Sequence, residues 1–541
     1  MRGDFSRRSR ADALQRAADL ECDLLVAGGG ITGAGVAREA ALRGLSVVLV
    51  DKGDFASGTS SRSSKLIHGG LRYLEQGDIA LVRESSRERA VLNRIAPHLA
   101  VPLDMMVPAR SKAGLAKLAA GLWTFERLNR AKEGYSVLGR AASCAREPLL
   151  GASRLAGSVV FREFLTDDAR LTLETVKSAA AAGALVANYA EITAMEDRPA
   201  GLGVTVQDRA SDSSLEIRCR CFVNAAGPWF DSLRRMRDGA AAPLLQLTRG
   251  IHLVLERSAL PLDCIVVLRA PDGRSAFAVP RGETCYVGTT DKVHEGEIDE
   301  PGVTVEEAAY LIEAIYDTTG LRLDADAIVG AWSGVRPLMA QPGKRPSEIS
   351  RRDEILVGPG PVVSVAGGKL TTYRRTAERV VDRAVEAGGL RPAGPANSGF
   401  QGLAGGDAEE QARARSSCQR LADERLEGRL WATYGKNAAA VIERMIREPG
   451  SVEPVAGLAD LTLAELEYSL GEEMVMSLDD LLRRRSRAAM FDSLRAVAAA
   501  QEVASQLAEH LGWDARQTAA EVERFVERTE TELGIAKGAG D

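Results

Sequence analysis

At 541 residues the chain is too long for one hydrophobic core and is expected to divide into two or three domains. Hydrophobic residues make up 45% and charged residues 27%, the balance of a folded globular protein and not of a disordered one. The formal net charge of -6 argues against a general nucleic-acid binder, whose footprint is basic.

The first twenty residues, MRGDFSRRSRADALQRAADL, are basic but lack an apolar stretch, so 1–20 reads as an N-terminal extension and not as a signal peptide. No run of about 18 apolar residues follows, so no segment is expected to span a membrane. Cysteines at 22, 144, 219, 221, 264, 285 and 418 form neither a CxxC pair nor a regular framework. That scatter suits a reducing compartment and gives no metal site.

From Cys22 to Lys52 the chain reads CDLLVAGGGITGAGVAREAALRGLSVVLVDK. An apolar strand runs into Gly28-Gly29-Gly30-Ile31-Thr32-Gly33, a helix pattern follows, and a second strand ends at Asp51. Gly28 permits the tight turn, Gly30 lets backbone approach a pyrophosphate, and Gly33 lets helix and strand pack closely. The helix N-terminus faces the phosphates with free N–H groups, and Asp51 stands where a ribose hydroxyl needs an acceptor. Strand, helix, second strand and acid in register indicate a dinucleotide site, a signature that NAD and FAD share.

The next stretch, SSRSSKLIHGGLRYLEQGD (60–78), is too polar and too glycine-rich for a helix or strand. Further on, RSKAGLAKLAAGLWTFERLNRAK (110–132) mixes Leu, Trp and Phe with basic residues, as an interfacial helix or an ordinary amphipathic one does. CFVNAAGPW (221–229) is a strand ending in small residues, including Ala226 and Gly227. SVAGGKLTTY (364–373) repeats that form, with Gly368, Lys369, Leu370 and Thr371 at the turn. Both turns return the chain to the carboxyl edge of one sheet, where ligands of open α/β sheets bind, and they favour FAD.

IHLVLE, CIVVLRA, SAFAVP and CYVGTTD alternate as strands of a sheet with one wet face. RPAGPANSGFQGLAGGDA (391–408) reads as a linker, and the helical periods after it as an all-helical domain over 409–535. The fold class expected is α/β: a Rossmann-like FAD-binding domain (21–90, 150–245 and 325–390) with an inserted mixed β-sheet substrate domain (91–149 and 246–324), plus the helical C-terminal domain. Packing or self-association, as in a homodimer, is the role left to that last domain.

The combination of GGGITGAG, TSSRSSKLIHGGLRYLE, VNAAGPW, GTTD (288–291), SGVRPL (333–338) and GGKLTTYR (367–374) resembles the FAD-dependent, respiratory sn-glycerol-3-phosphate dehydrogenases. The resemblance covers about Asp23 to Glu378 and resumes loosely at LWATYGKNA and SLDDLLRRRSR. It implies that Lys52, Thr59, Ser60, Ser61, Ser64, Lys65, His68, Gly69 and Gly70 join the glycine turn in holding FAD. It also implies a substrate pocket of Arg72, Tyr73, His252, Arg336 and Lys369. Arginine suits a phosphate because its planar fork bonds two oxygens at once. His252 suits proton acceptance from an alcohol, with Arg336 or solvent as the alternatives and Arg72 counted with the catalytic set. The substrate implied is sn-glycerol 3-phosphate, the acceptor quinone, and the location the cytoplasmic face of the inner membrane through peripheral contact. An oxygen-using glycerol-3-phosphate oxidase, an FAD oxidase of a 2-hydroxy or amino acid, and a non-catalytic flavoprotein are the competing readings.

Overall fold

The computed structural model describes residues 4–68, 78–129, 134–152, 154–341, 343 and 352–538. Helix α1 (Arg7–Asp19) starts at Ser6, whose side chain accepts from the amides of Arg8 and Ser9. Its Leu14 and Ala17 are buried against the first sheet, and buried Arg10 donates to the Asn188 and Tyr189 carbonyls and pairs with Asp208. The N-terminal segment is therefore an integral layer of the fold and not an appendage. Its basic composition hid three inward positions spaced three and four apart.

Strand β1 (Glu21–Ala27) leads through the glycine turn into helix α2 (Ile31–Leu42) and strand β2 (Val47–Val50). These belong to an eight-stranded sheet in which β1 lies between β2 and β3 (Ser213–Asn224), all parallel. Leu185–Ala187 continues it beyond β2, and Val362–Ala366 beyond β3. Leu24–Ala27 and Val47–Val50 are continuous apolar runs, buried throughout, because both faces of the sheet are covered there. Helices α2, Asp168–Ala181 and Tyr373–Gly388 pack one face; α1 and the antiparallel strands between 190 and 208 cover the other.

A second, ten-stranded sheet has β4 (Leu245–Glu256) and β5 (Ile328–Met339) towards one end, paired antiparallel with His252 opposite Trp332 and Thr248 opposite Arg336. It also holds Gly157–Leu165, between Val101–Ala109 and Leu66–Ile67. So 157–165 and 328–339, expected in the cofactor domain, pair in the substrate sheet. Apolar alternation marks a strand but carries no information on which sheet it joins.

Both faces of β4 are buried from Gly250 to Leu255. Ile251, Leu253 and Leu255 pack with residues of helix Val305–Thr319, while His252 and Val254 face Tyr286, Trp332 and, from the C-terminal region, Met490 and Phe491. Segment 391–408 is likewise docked. Buried Arg38 donates to the carbonyls of Ser398 and Gln401 at 2.9 and 2.7 Å, and the Leu403 amide donates to the Ile95 carbonyl. Helices from Ala408 to Lys537 follow.

Candidate functional site

The glycine turn is shaped by contacts that leave no choice of residue. Gly28 has φ +104°, and a Cβ there would lie 2.6 Å from the Ala225 carbonyl oxygen; at Gly33 it would lie 1.9 Å from the Gly28 carbonyl oxygen. Gly30 differs. A Cβ there meets only the flexible Ser60 hydroxyl, at 3.1 Å. The protein itself thus leaves Gly30 facing open space, as a backbone reserved for close approach by a phosphate group does.

That space is a cleft of about 460 Å³. Of the residues expected at the cofactor, Gly28, Gly30, Ile31, Thr32, Asp51, Lys52, Thr59, Ser60, Ala226, Gly227, Gly368, Lys369 and Leu370 line it. Asp51 closes one side: its carboxylate accepts from the Gly29 amide at 2.6 Å and the Gly53 amide at 2.9 Å. Burial pushes its carboxyl up to about 6, with those two amides opposing the shift. A phosphate-sized opening at a helix N-terminus, with an acid ending the second strand, fits a dinucleotide such as FAD.

Other expected residues lie elsewhere. Gly33 packs beneath the turn, and Thr371 is buried, its hydroxyl directed to the His68 carbonyl. Lys65 is buried and pairs with Asp168 at 2.6 Å while donating to the Ser61 carbonyl at 2.8 Å, so its charge is neutralised away from the cleft. Ser61 is buried with it. Gly69, Gly70, Arg72 and Tyr73 lie outside the described residues.

Residues 59–64 tie the cleft to the second sheet. Thr59 and Ser60 line the cleft, while the Ser64 hydroxyl meets His252 Nε2 at 2.9 Å. His252 is stacked on Trp332, with centroids 4.7 Å apart and planes 12° apart. Burial first, then the nearby Arg336 and Lys65 cations, hold its imidazole well below the usual value of 6.5. At neutral pH it is uncharged, with Nδ1 unbonded among the described residues.

By strand register Arg336 shares its face with Trp332 and His252. Its guanidinium donates to the Thr289 hydroxyl at 2.7 Å, and to the Thr290 carbonyl and the Asp291 carboxylate at 3.2 Å each. Room for both side chains is made by glycine. A Cβ on Gly250 would lie 2.2 Å from the guanidinium, and one on Gly288 2.0 Å from the imidazole.

Reading the sequence missed Asp168, Trp332 and Asp291 as the groups that hold Lys65, His252 and Arg336. Only Asp168 left a local mark: Asp167-Asp168 opens a helix, with Asp167 as its N-cap. Phe125, grouped with Trp123 as a candidate lipid contact, packs inward against Leu81 and Val82, whereas Trp123 is 52% exposed.

Comparison with known proteins sets this geometry in context. A family described as FAD dependent oxidoreductase matches residues 23–374, and one described as the C-terminal domain of alpha-glycerophosphate oxidase matches 400–518. The aerobic glycerol-3-phosphate dehydrogenase of Bacillus subtilis (strain 168) is 35% identical over 534 residues, spanning 95% of this chain and 96% of that protein. The protein of the same name from Staphylococcus aureus (strain MRSA252) is 38% identical over 491 residues, 86% of each chain. Among solved structures, the glycerol-3-phosphate dehydrogenase from Bacillus halodurans complexed with FAD superposes with a TM-score of 0.81 at 33% identity, covering 98% of both chains. An L-alpha-glycerophosphate oxidase from Mycoplasma pneumoniae with FAD bound shares the fold, with a TM-score of 0.56 at 18% identity over 71% of this chain and 99% of that one.

Proposed function

The chain belongs to the FAD-dependent oxidoreductases, in the family of aerobic glycerol-3-phosphate dehydrogenases, and on that premise we propose that it oxidises sn-glycerol 3-phosphate to dihydroxyacetone phosphate and passes the electrons to a quinone. The observation that carries the substrate reading is one sheet face that presents a neutral buried imidazole and an anchored guanidinium together, next to the dinucleotide cleft. An alcohol oxidation needs a proton acceptor, and a phosphate ester needs a cation fork.

When bound, FAD supplies the acceptor for the two electrons that leave C2 as hydride. The chain's own residues do the rest. In the tautomer whose Nε2–H donates to the Ser64 hydroxyl, His252 Nδ1 carries the lone pair that takes the proton from O2. Burial, and after it the nearby cations, keep that imidazole uncharged in the ground state, so the lone pair is available at neutral pH. Arg336, fixed by Thr289 and Asp291, holds the phosphate, with Lys369 at the cleft adding a point charge. The family resemblance adds Arg72 and Tyr73, which lie outside the described residues, to the residues expected to bind the substrate.

Delivery to quinone requires contact with a membrane surface. Among the described residues no helix is long and apolar enough to cross a membrane. Helix Lys112–Asn129 suits peripheral attachment: of its described side chains only Leu122 is buried, and exposed Trp123 lies under the Arg127 guanidinium.

The deciding experiment is anaerobic addition of glycerol 3-phosphate, glycerol, lactate and glycine to the FAD-loaded protein. Glycerol 3-phosphate alone is expected to bleach the flavin absorbance; bleaching by glycine or lactate in its place overturns the substrate. A second reading, oxygen as acceptor, is favoured by the oxidase-type family matched over 400–518. It requires one hydrogen peroxide per substrate in air, against little peroxide and quinone-dependent turnover for the dehydrogenase.

A further inference from the structure

Among the described residues the helical C-terminal domain contributes no side chain to the cleft, yet it buries three consecutive arginines, Arg483, Arg484 and Arg485, in a π-helical turn over Asp480–Arg485. Adjacent residues on an α-helix point apart. Here the wider winding brings Arg484 and Arg485 onto one carboxylate, that of Asp54, 430 residues away in sequence. Asp54 is fully enclosed. Its Oδ2 accepts from Arg484 Nε and Arg485 Nη1 at 2.6 Å each, and its Oδ1 from Arg485 Nη2 and Asn188 Nδ2 at 3.0 Å each. Arg485 is braced in turn by the Glu473 carbonyl at 2.7 Å.

Asp54 belongs to the loop that follows Asp51, and that loop shapes the glycine turn from behind. The Gly53 amide holds the Asp51 carboxylate, Phe55 fills the space where a Cβ on Gly29 would stand, and the Ala56 amide donates to the Gly29 carbonyl. Farther along the loop, Ser57 and Gly58 line the cleft itself. Loosening Asp54 therefore frees the carboxylate and the backbone on which the adenosine side of a dinucleotide would rest. No side chain of the loop offers a comparable second anchor into the C-terminal domain among the described residues.

We propose that the C-terminal domain sets the FAD-binding conformation of loop 51–58 through Asp54, which makes Asp54, Arg484 and Arg485 positioning residues for the cofactor. The domain's role is then cofactor retention as well as packing. This rests on the FAD site and not on the identity of the substrate, so it stands or falls separately from the glycerol 3-phosphate reading.

The test strips FAD from the full-length wild type and from Arg485→Lys, Asp54→Asn and Arg487→Lys, then titrates FAD back by flavin fluorescence and records apoprotein melting. Arg485→Lys keeps the charge but loses the fork, and is expected to weaken FAD binding by about tenfold or more, with Asp54→Asn weaker still. KM for glycerol 3-phosphate at saturating FAD should stay at the wild-type value. Arg487 pairs with Asp167 and not with Asp54, so Arg487→Lys loosens the same domain elsewhere and should lower melting with FAD affinity unchanged. Wild-type FAD affinity in Arg485→Lys, or an equal loss in Arg487→Lys, overturns the proposal and leaves the arginines as domain adhesion only. If Asp54→Asn does not fold, the Arg485→Lys and Arg487→Lys pair still decides.

Discussion

Replacing Arg336 by alanine separates the phosphate reading from every other use of that side chain. Arg336 is 18% exposed and fixed by Thr289, Thr290 and Asp291, so its guanidinium is positioned before any ligand arrives. A phosphate meeting it forms a charge-assisted contact in a partly desolvated site, where deleting one partner costs about 2–5 kcal/mol. At about 1.36 kcal/mol per factor of ten, kcat/KM for glycerol 3-phosphate should fall by roughly 30-fold to several thousand-fold. Arg336→Lys, which keeps the charge and loses the fork, should fall between wild type and alanine. Glycerol lacks the phosphate and never made the contact, so turnover of glycerol should change far less. The assay is steady-state reduction of an artificial acceptor with both substrates, on protein whose FAD content and melting temperature are measured first, because Asp291 also loses a partner. A parallel fall for both substrates, or loss of FAD, would mean that Arg336 serves the fold or the cofactor, and the phosphate assignment would fail.

Further outcomes follow from the same geometry. Gly33→Ala drives a Cβ into the Gly28 carbonyl and should lower stability by about 1–3 kcal/mol or more, whereas Gly30→Val should melt like the wild-type apoprotein yet purify colourless; thermal melts and flavin content read both, and a yellow Gly30→Val refutes the assigned register. FAD affinity should fall as pH drops through about 6, because the raised Asp51 carboxyl then binds a proton and no longer accepts fully from ribose hydroxyls; titrations across pH 5–8 should show the step in wild type and a flat profile in Asp51→Asn. The sign for stability is opposite: a folded value above the unfolded 3.8 penalises the FAD-free protein as pH rises from about 4 to 6, so Asp51→Asn should raise apoprotein melting at pH 7. Trp123→Ser should weaken sedimentation with anionic vesicles at low salt without altering flavin reduction by glycerol 3-phosphate, and equal sedimentation would return Lys112–Asn129 to an ordinary surface helix.

The cofactor class was legible in about thirty residues, because a βαβ turn is a local object. Gly28 and Gly33 are dictated by backbone that is near in sequence or in the adjoining strand, and Asp51 by the length of one helix and one strand. The two later strand-to-glycine turns were readable for the same reason, and they do line the cleft. What the residues could not reveal by themselves is every decision taken between distant segments. Gly157–Leu165 and β5 lie in stretches expected in the cofactor domain, but their sheet was chosen by partners that only the folded chain supplies. Lys65 was expected among the FAD-holding residues of a hydroxyl-rich stretch, yet Asp168, about a hundred residues on, claims its charge. His252 looked like an isolated histidine on an apolar strand. Its uncharged state comes from Trp332, Arg336 and Lys65 closing around it, since both desolvation and cation repulsion depend on three-dimensional distance and not on spacing along the chain. Nothing along the chain indicates partners for the three consecutive arginines near the C-terminus; the fold buries Arg484 and Arg485 on Asp54, and Arg483 against Asp479 and Glu532. Short-range backbone geometry is written in the sequence, whereas the pairing of buried charges is settled only when tertiary packing removes the water that would otherwise have held them apart.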